Sequence, residues 1–228
     1  MLVREDGKIF GTVGGSLLEA KVREEAVNVI REGKPKLIDF DLTGKDKNGM
    51  ICGGVAKVYL EPILPSPVLC IFGGGHVSSS LVRIGKMLGF RLVVVDDRKE
   101  YANPERFPEA DKTIADGYPN AFGQITVDRF SYLVIVTRGH VYDQTVLEWA
   151  ITTDAPYIGM IGSRKKIKTI YDNLIAKGIK EDTLKRVHAP IGLDINAETP
   201  EEIAVSIMAE IIKIRRFGAH RKGAECPV

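Results

Sequence analysis

Residues 68–97 read VLCIFGGGHVSSSLVRIGKMLGFRLVVVDD, and this stretch decides the fold of most of the chain. It contains an apolar strand, a glycine-rich turn, an amphipathic helix and a second apolar strand. Both strands are continuously apolar rather than alternating, which is typical of parallel strands covered by helices on both faces. The stretch therefore predicts one strand–helix–strand unit with a right-handed crossover.

The same alternation of strands and helices continues along the chain. The segments 131–140 (SYLVIVTRGH) and 156–162 (PYIGMIG) read as strands, and the segments 143–153 and 163–178 read as helices. A last helix is predicted with Thr199 as its cap, Pro200 at its first position and Gly218 just past its end. The fold class is therefore α/β, with a Rossmann-like doubly wound parallel sheet over residues 65–228.

A small α+β domain is predicted for residues 1–64, before and within the proline-rich linker EPILPSP. Residues 2–13 (LVREDGKIFGTV) read as a hairpin that turns at Asp6-Gly7. Residues 17–33 read as a helix that stops at a glycine. KLIDFDL and VAKVYLEP then alternate as two half-buried strands.

Composition limits the classes of function. The chain has 228 residues, and its 32 basic and 30 acidic side chains leave a net charge of only +2. Such a balance gives no strong field toward nucleic acid or a membrane surface. Three cysteines without paired spacing favour a reducing compartment. The opening MLVREDGKIF lacks the apolar run of a signal peptide, so we expect a cytoplasmic protein.

The glycine-rich turn carries a dinucleotide-type fingerprint. Gly73 and Gly75 occupy its first two glycine positions, and Ser78 stands at the third. Asp96 and Asp97 close the next strand about 20 residues on, where a carboxylate receives ribose hydroxyls. The pattern favours a phosphate-bearing ligand at the helix start. The alternative is a packing turn that binds no dinucleotide.

Polar and charged side chains follow four predicted strands at the sheet edge where ligands of this fold bind. They are His76, then Asp96 and Asp97 with Arg98, then Arg138 and His140, and finally Ser163, Arg164 and Lys166. Beside the two acids, Arg98 would accommodate a 2′-phosphate. A helix start with cations at Ser163 and Arg164 suits a phosphate or pterin-type anion. Lys166 is interpreted as part of a solvated helix face.

Cys52 lies between glycines in GMICGG, residues 49–54. Free amides around this thiol would favour the thiolate, the form that ligates metals. The alternative is a buried cysteine in a turn. Cys70 reads as a small buried hydrophobe and Cys226 as incidental. The histidines lack metal-site spacing with cysteine, and His188 is interpreted as a loop histidine bonded to the backbone.

Several stretches, taken together and in order, resemble the xanthine dehydrogenase accessory (XdhC/CoxI) family. They are LVREDGKIFGTVGGSLLEAKV, GMICGG followed by EP, FGGGHV, VVVDDR, VTRGHVYD, YIGMIGSRKK and HAPIGLDINAETPEEIAVSIMAEII. The resemblance implies a chaperone that binds molybdenum cofactor (molybdopterin), supports its sulfuration and delivers it to a molybdenum hydroxylase such as xanthine dehydrogenase. It also implies a homodimer, a cysteine desulfurase as a further partner, and Cys52 as the cofactor-binding thiol and metal ligand.

Two departures from the family pattern accompany this resemblance. Ser78 stands where glycine is more usual, and the chain begins at Met1 without the family's preceding strand, so we expect a shortened first domain. Other classes of function stay open. An NAD(P)-dependent oxidoreductase would use His140 or His188 as proton donor and Arg138 as a carboxylate anchor. A nucleotide-sensing regulatory module is the third interpretation. Because no general acid–base pair is evident, a cofactor-binding chaperone is favoured over a catalyst.

Overall fold

The computed structural model describes residues 1–14, 16–41 and 55–217. The chain forms two compact units, of which the first ends at Pro65 and the second begins at Ser66. Within the described ranges, no helix combines the length and the apolar character needed to cross a bilayer.

The first unit contains two short antiparallel sheets and one long helix. Its elements are β1 (Leu2–Val3), β2 (Ile9–Phe10), α1 (Ser16–Glu32), β3 (Lys36–Asp41) and β4 (Val55–Leu60). β1 and β2 form the predicted hairpin, whose turn uses the left-handed conformation of Gly7 (φ 78°). β3 pairs with β4 from Lys36 opposite Leu60 to Asp41 opposite Val55. Cys52 belongs to the segment between these two strands and lies outside the described residues.

The second unit is the predicted parallel sheet with helices between its strands. Its elements are β5 (Val68–Phe72), α2 (His76–Met87), β6 (Arg91–Asp96), β7 (Lys112–Ala115), α3 (Tyr118–Phe122), β8 (Ser131–Ile135), α4 (His140–Ala150), β9 (Tyr157–Met160), α5 (Arg164–Ala176), α6 (Glu181–Leu184), β10 (Val187–His188) and α7 (Pro200–Phe217). The strand order is β10-β9-β8-β5-β6-β7, and every neighbouring pair is parallel. This is the strand order of a Rossmann sheet.

The core lies on both faces of the central strands β5 and β8. One face is covered by α2 and α7, which bury Leu81 and Ile207 against the sheet. The other is covered by α4 and α5, which bury Leu147 and Ile170. The chain reverses its direction of travel across the sheet between β5 and β8. The crevice at the carboxyl ends of these two strands is therefore the position where such folds bind ligands.

The start of α7 has the predicted cap. The backbone N–H of Glu202 donates to Thr199 Oγ1 at 3.2 Å, and Glu202 Oε2 accepts from the Thr199 N–H at 3.1 Å. These reciprocal bonds form a capping box, which satisfies amides that have no acceptor within the helix. Amide bonds to its carboxylate from Glu198 and Thr199 also lower the pKa of Glu202.

Candidate functional site

The three glycines between β5 and α2 have different reasons to be glycine. A Cβ at Gly73 would press on the carbonyl of Val136, and one at Gly74 would press on the carbonyl of Tyr101. Gly73 also has a left-handed backbone, with φ 113°. A Cβ at Gly75 would meet no atom within 4 Å. The first two glycines are therefore required by the protein's own backbone, and only Gly75 leaves space for an approaching ligand.

Ser78 strengthens the glycine turn. It is completely buried in α2, and its hydroxyl donates to the carbonyl of Gly73 at 2.5 Å. A glycine at this position would leave that carbonyl without its side-chain donor. The serine thus fixes the turn at a position where the family pattern more often has glycine.

Two helices with glycine N-caps begin beside the crevice. α2 starts at His76 after Gly75, and α4 starts at His140 after Gly139, so the same Gly-His-Val tripeptide opens both helices. Neither helix start has a side-chain cap among the described residues. Since β5 and β8 are neighbours, both sets of free amides lie at the same edge of the sheet and favour an anion. Both histidines are exposed there.

Asp96 has no hydrogen-bonding capacity left for a ribose. Its Oδ1 accepts from the N–H and Nε of Arg98 at 3.1 and 2.9 Å, and its Oδ2 accepts from the Gly74 N–H at 2.8 Å and Arg98 Nη2 at 3.1 Å. Four bonds fill the acceptor sites of one carboxylate. Burial alone would raise the pKa of Asp96, but the bonds from Arg98 and Gly74 outweigh it and lower that pKa. Asp96 therefore holds the glycine turn together.

Arg98 is committed to the same structural role. Besides its bonds to Asp96, its guanidinium lies 3.6 Å from the centroid of the Tyr101 ring. Arg106 joins this loop to the turn, because its Nε donates to the Gly74 carbonyl at 3.0 Å. The segment after β6 thus locks the glycine turn from one side, and its cations are engaged within the protein.

Asp97 and Tyr118 carry the polar atoms that are left without partners. Arg138 Nη2 donates to Asp97 Oδ2 at 2.6 Å and to the Tyr142 hydroxyl at 2.8 Å. In the described part of the chain, Asp97 Oδ1 and the Tyr118 hydroxyl are both buried and lack a hydrogen-bond partner. Burial, reinforced by the charges of Asp96 and Asp97, raises the pKa of Tyr118. Sequence reasoning missed Tyr118, whose only signal was its place directly after a short strand.

The interpretation of Lys166 as a solvated side chain is wrong. Its ammonium forms an ion pair with Oδ2 of Asp143, whose side chain is completely buried. The other carboxylate oxygen accepts from the N–H and hydroxyl of Thr137 at 3.2 and 2.7 Å. Burial raises the pKa of Asp143, although the bonds from Lys166 and Thr137 oppose that shift. The pair connects the first turns of α4 and α5.

Ser163 and Arg164 begin α5 at the same sheet edge. The Ser163 hydroxyl accepts from the Lys166 N–H at 3.3 Å and so caps the helix. Both residues are exposed. Because its hydroxyl already satisfies one amide, Ser163 offers an anion less than the glycine-capped helices do.

His188 takes part in a side-chain network rather than a backbone bond, which corrects the interpretation from sequence. Its Nδ1 lies 3.2 Å from Glu210 Oε1, and its ring stacks on Tyr157 with 4.8 Å between centroids. Glu210 Oε2 also accepts from the Tyr157 hydroxyl at 2.6 Å and the Gly192 N–H at 3.0 Å. The network joins β9 and β10 to α7.

Replacing Glu210 by glutamine should lower the free energy of unfolding by about 1.5–3 kcal/mol near neutral pH, the range for bonds to a charged group. Burial alone would raise the pKa of Glu210, but the bonds from His188, Tyr157 and Gly192 outweigh it and depress that pKa below 4.5. Its ionised form therefore stabilises the fold above that pH, and this stabilisation is lost as pH falls through the depressed pKa. Urea unfolding across pH should show the difference between the proteins shrinking in acid. A constant difference would contradict this account.

The cysteine predictions have unequal outcomes. Cys70 is completely buried in β5, and burial raises the pKa of its thiol to about 12, as expected for an inert core residue. Cys52 and Cys226 lie outside the described residues. No group of three or more histidine, cysteine or acidic side chains in the described ranges could hold a metal ion.

Two family models match the chain. Residues 69–211 match the XdhC Rossmann domain, and residues 1–41 match the XdhC and CoxI family. A solved structure from Bacillus halodurans, described as a xanthine dehydrogenase, aligns with a TM-score of 0.61. It is 23% identical, and the alignment covers 99% of this chain and 87% of that one, which supports the fold.

Three curated proteins are similar in sequence. The uncharacterized protein YqeB of Escherichia coli is 35% identical over 94% of this chain and 40% of its own length. A protein of Bacillus subtilis named as a probable xanthine dehydrogenase component is 31% identical over 70% of this chain and 46% of its own length. The molybdenum cofactor insertion chaperone PaoD of Escherichia coli is 23% identical over 94% of this chain and 77% of its length.

The chain spans less than half the length of the first two of these relatives. Its match to the Rossmann-domain model nevertheless covers most of the chain, in the region that contains the glycine turn and the sheet-edge residues. The match to the second model covers the start of the smaller unit. The chain therefore belongs to the XdhC and CoxI family.

Proposed function

We propose that this protein binds molybdenum cofactor, supports its sulfuration and delivers it to a molybdenum hydroxylase of the xanthine dehydrogenase type. Family membership supports the accessory role, and the relative named as a molybdenum cofactor insertion chaperone supports the choice of cargo. A cysteine desulfurase as sulfur donor and a homodimeric state are further parts of the proposal.

The crevice between β5 and β8 is the observation that carries this proposal. A pterin cofactor has a phosphate at one end and a flat polar heterocycle at the other. Open space at Gly75 and two helix starts with glycine caps suit the phosphate. The unpartnered oxygens of Asp97 and Tyr118 offer hydrogen bonds to a heterocycle. The described residues thus fit the two ends of such a ligand.

Cys52 is proposed as the residue that contacts the metal end of the cofactor. A thiolate is a soft ligand, and it suits a sulfur-rich metal centre better than an oxygen ligand does. When bound, the cofactor would supply all the redox chemistry. The residues of this chain would bind it, orient it and keep water from it until delivery.

An NAD(P)-dependent oxidoreductase is the competing function, favoured by the Rossmann strand order. Asp96 argues against it, because the carboxylate expected to receive ribose hydroxyls is saturated by Arg98 and Gly74. Arg98 is likewise engaged and is not free for a 2′-phosphate. A titration with NADH and NADPH that gave tight binding would favour the oxidoreductase.

Replacing Cys52 by serine tests the proposal directly. We expect the variant to fold normally but to retain at least about 10-fold less molybdenum and pterin on purification, since the thiolate ligand is lost. Molybdenum content and the fluorescence of oxidised pterin are the measurements. Activation of a cofactor-free hydroxylase by the loaded protein is the second readout.

Cys70→Ser is the matched control. It also removes a thiol, but from the apolar interior of β5, so it should lower stability without a specific loss of cofactor from the folded fraction. If Cys52→Ser retains cofactor and activates the hydroxylase as well as the unmodified protein does, the thiol has no such role. If the unmodified protein itself retains no pterin, the proposed function is wrong.

A further inference from the structure

Two buried polar atoms at the crevice, Asp97 Oδ1 and the Tyr118 hydroxyl, have complementary chemistry. The carboxylate oxygen accepts hydrogen bonds and the tyrosine hydroxyl donates one, yet neither is satisfied by another described residue. They are not bonded to each other either. Leaving such groups unpaired costs about 1–3 kcal/mol each. A ligand group that donates to one and accepts from the other would recover that cost.

The surrounding side chains fix the direction of both atoms. Arg138 holds the other oxygen of Asp97 at 2.6 Å, so only Oδ1 remains available. Arg98 Nε lies 3.8 Å from Oδ1, close enough to favour negative charge but too far for a hydrogen bond. Tyr118 is only 1% exposed, and its ring meets that of Tyr142 edge-on at 5.5 Å. Neither atom can easily turn away to find another partner.

Flat surfaces adjoin the pair. The Arg138 guanidinium lies 4.9 Å from the centroid of the Tyr142 ring, and the Tyr142 ring packs on Tyr118. Aromatic rings and guanidinium planes stack best on flat, delocalised groups. A planar heterocycle therefore matches this environment better than a saturated sugar does. Arg138 is 43% exposed, so its side chain can swing aside and uncover both atoms without disturbing the core.

We infer that Asp97 and Tyr118 recognise the 2-amino-4-oxopyrimidine edge that pterins and guanine share. In this arrangement Asp97 Oδ1 accepts from the 2-amino group, and the Tyr118 hydroxyl donates to the 4-oxo group. With pterin as the source, the inference rests on the proposed function and assigns the heterocycle end of the cargo. Asp96, one residue earlier, is excluded from this role because its acceptor sites are full.

Fluorescence titration of the full chain with simple ligands tests the recognition. The probes are 6-hydroxymethylpterin, lumazine (an oxo group replaces the 2-amino group), guanosine and adenosine. Losing one buried hydrogen bond costs about 10- to 100-fold in affinity. We expect pterin to bind that much more tightly than lumazine, and guanosine that much more tightly than adenosine. The pterin-to-guanosine ratio then tells which source the site prefers.

Asp97→Asn should reverse the preference. The amide oxygen of the asparagine would face Arg138, so its NH₂ group would replace Oδ1 and oppose the 2-amino group. That variant should bind lumazine more tightly than pterin. Tyr118→Phe should lose about 10-fold in pterin affinity while keeping its melting temperature, because the hydroxyl removed has no partner among the described residues. Tyr132→Phe, at a buried tyrosine on β8, is the matched control and should bind pterin normally.

Equal affinities for pterin and lumazine, or for guanosine and adenosine, would overturn the inference, as would an unchanged preference in Asp97→Asn. Absence of binding by every probe would also overturn it. Failure of the proposed function looks different. In that case Asp97-dependent pterin binding would persist while the purified protein retained no molybdenum. Conversely, full retention of the cofactor by Asp97→Asn would leave the proposed function standing and remove this subsite.

Discussion

Lys166→Met is expected to lower the free energy of unfolding by about 3–5 kcal/mol, the usual cost of removing one partner of a buried ion pair. Asp143 is completely buried, and Lys166 is the cation paired with its Oδ2. Methionine preserves the apolar stem of the lysine but leaves the carboxylate uncompensated. Urea unfolding followed by circular dichroism at neutral pH measures the loss.

The pH dependence of this variant identifies the cause. In the unmodified protein the pKa of Asp143 is already raised above its ordinary 3.8, because burial outweighs the bonds from Lys166 and Thr137. A raised pKa means that the folded state binds the proton more tightly than the unfolded state, so protonation stabilises the fold. Without Lys166 the pKa should rise further. The deficit should therefore shrink as pH falls toward 3.8.

Lys168→Met is the matched control in the same helix. Lys168 is 77% exposed and pairs with Asp172 one turn later at 3.0 Å. Exposed pairs of this kind contribute at most about 0.5 kcal/mol. A Lys166→Met variant no less stable than Lys168→Met would show that the buried pair has no such weight.

Gly73→Ala has the second large expected effect, a loss of about 3 kcal/mol or more. Its Cβ would press on the Val136 carbonyl, and overpacking costs about 1–3 kcal/mol. The left-handed backbone at φ 113° adds about 1–3 kcal/mol for a residue with a side chain. Thermal and urea unfolding measure the sum.

Gly75→Ala separates stability from binding at the same turn. Its backbone, at φ −78°, is ordinary, and the added Cβ would meet no atom within 4 Å. We expect a loss of stability below about 1 kcal/mol, the cost of alanine as a helix cap. Pterin-cofactor retention should nevertheless fall, because the methyl group occupies space for the ligand. A stable Gly73→Ala protein would contradict the packing argument.

Much of the fold could be predicted because the longer elements carry strong periodic patterns. The continuous apolar runs VLCIF and RLVVVD become β5 and β6, and the capped helix that begins at Pro200 becomes α7. The short elements β7, α3, α6 and β10 were not predicted. β10 has only two residues, and it is a strand because β9 offers it a parallel partner, which no local pattern reveals.

The candidate site could be predicted by position but not by role. The rule that ligands bind at the carboxyl ends of strands correctly groups Asp96, Asp97, Arg138 and His140 at one sheet edge. Which acid is saturated and which is free depends on the directions of Arg98 and Arg138, and spacing alone does not encode those directions. Lys166 was misread for the same reason, since its partner Asp143 lies on another helix.

The strand order has a consequence for biosynthesis. β5 lies at the centre of the sheet, yet the strand that covers its second edge, β8, ends roughly 60 residues after β5 does. At about 5–20 residues per second, a ribosome needs several seconds to complete that interval. During this time the nascent chain can pair β5 with β6 alone. The uncharged edge of VLCIF then stays open, which is the kind of segment that recruits other chains. Successful folding in the cell thus depends on protecting this nascent edge until residue Ile135 has emerged.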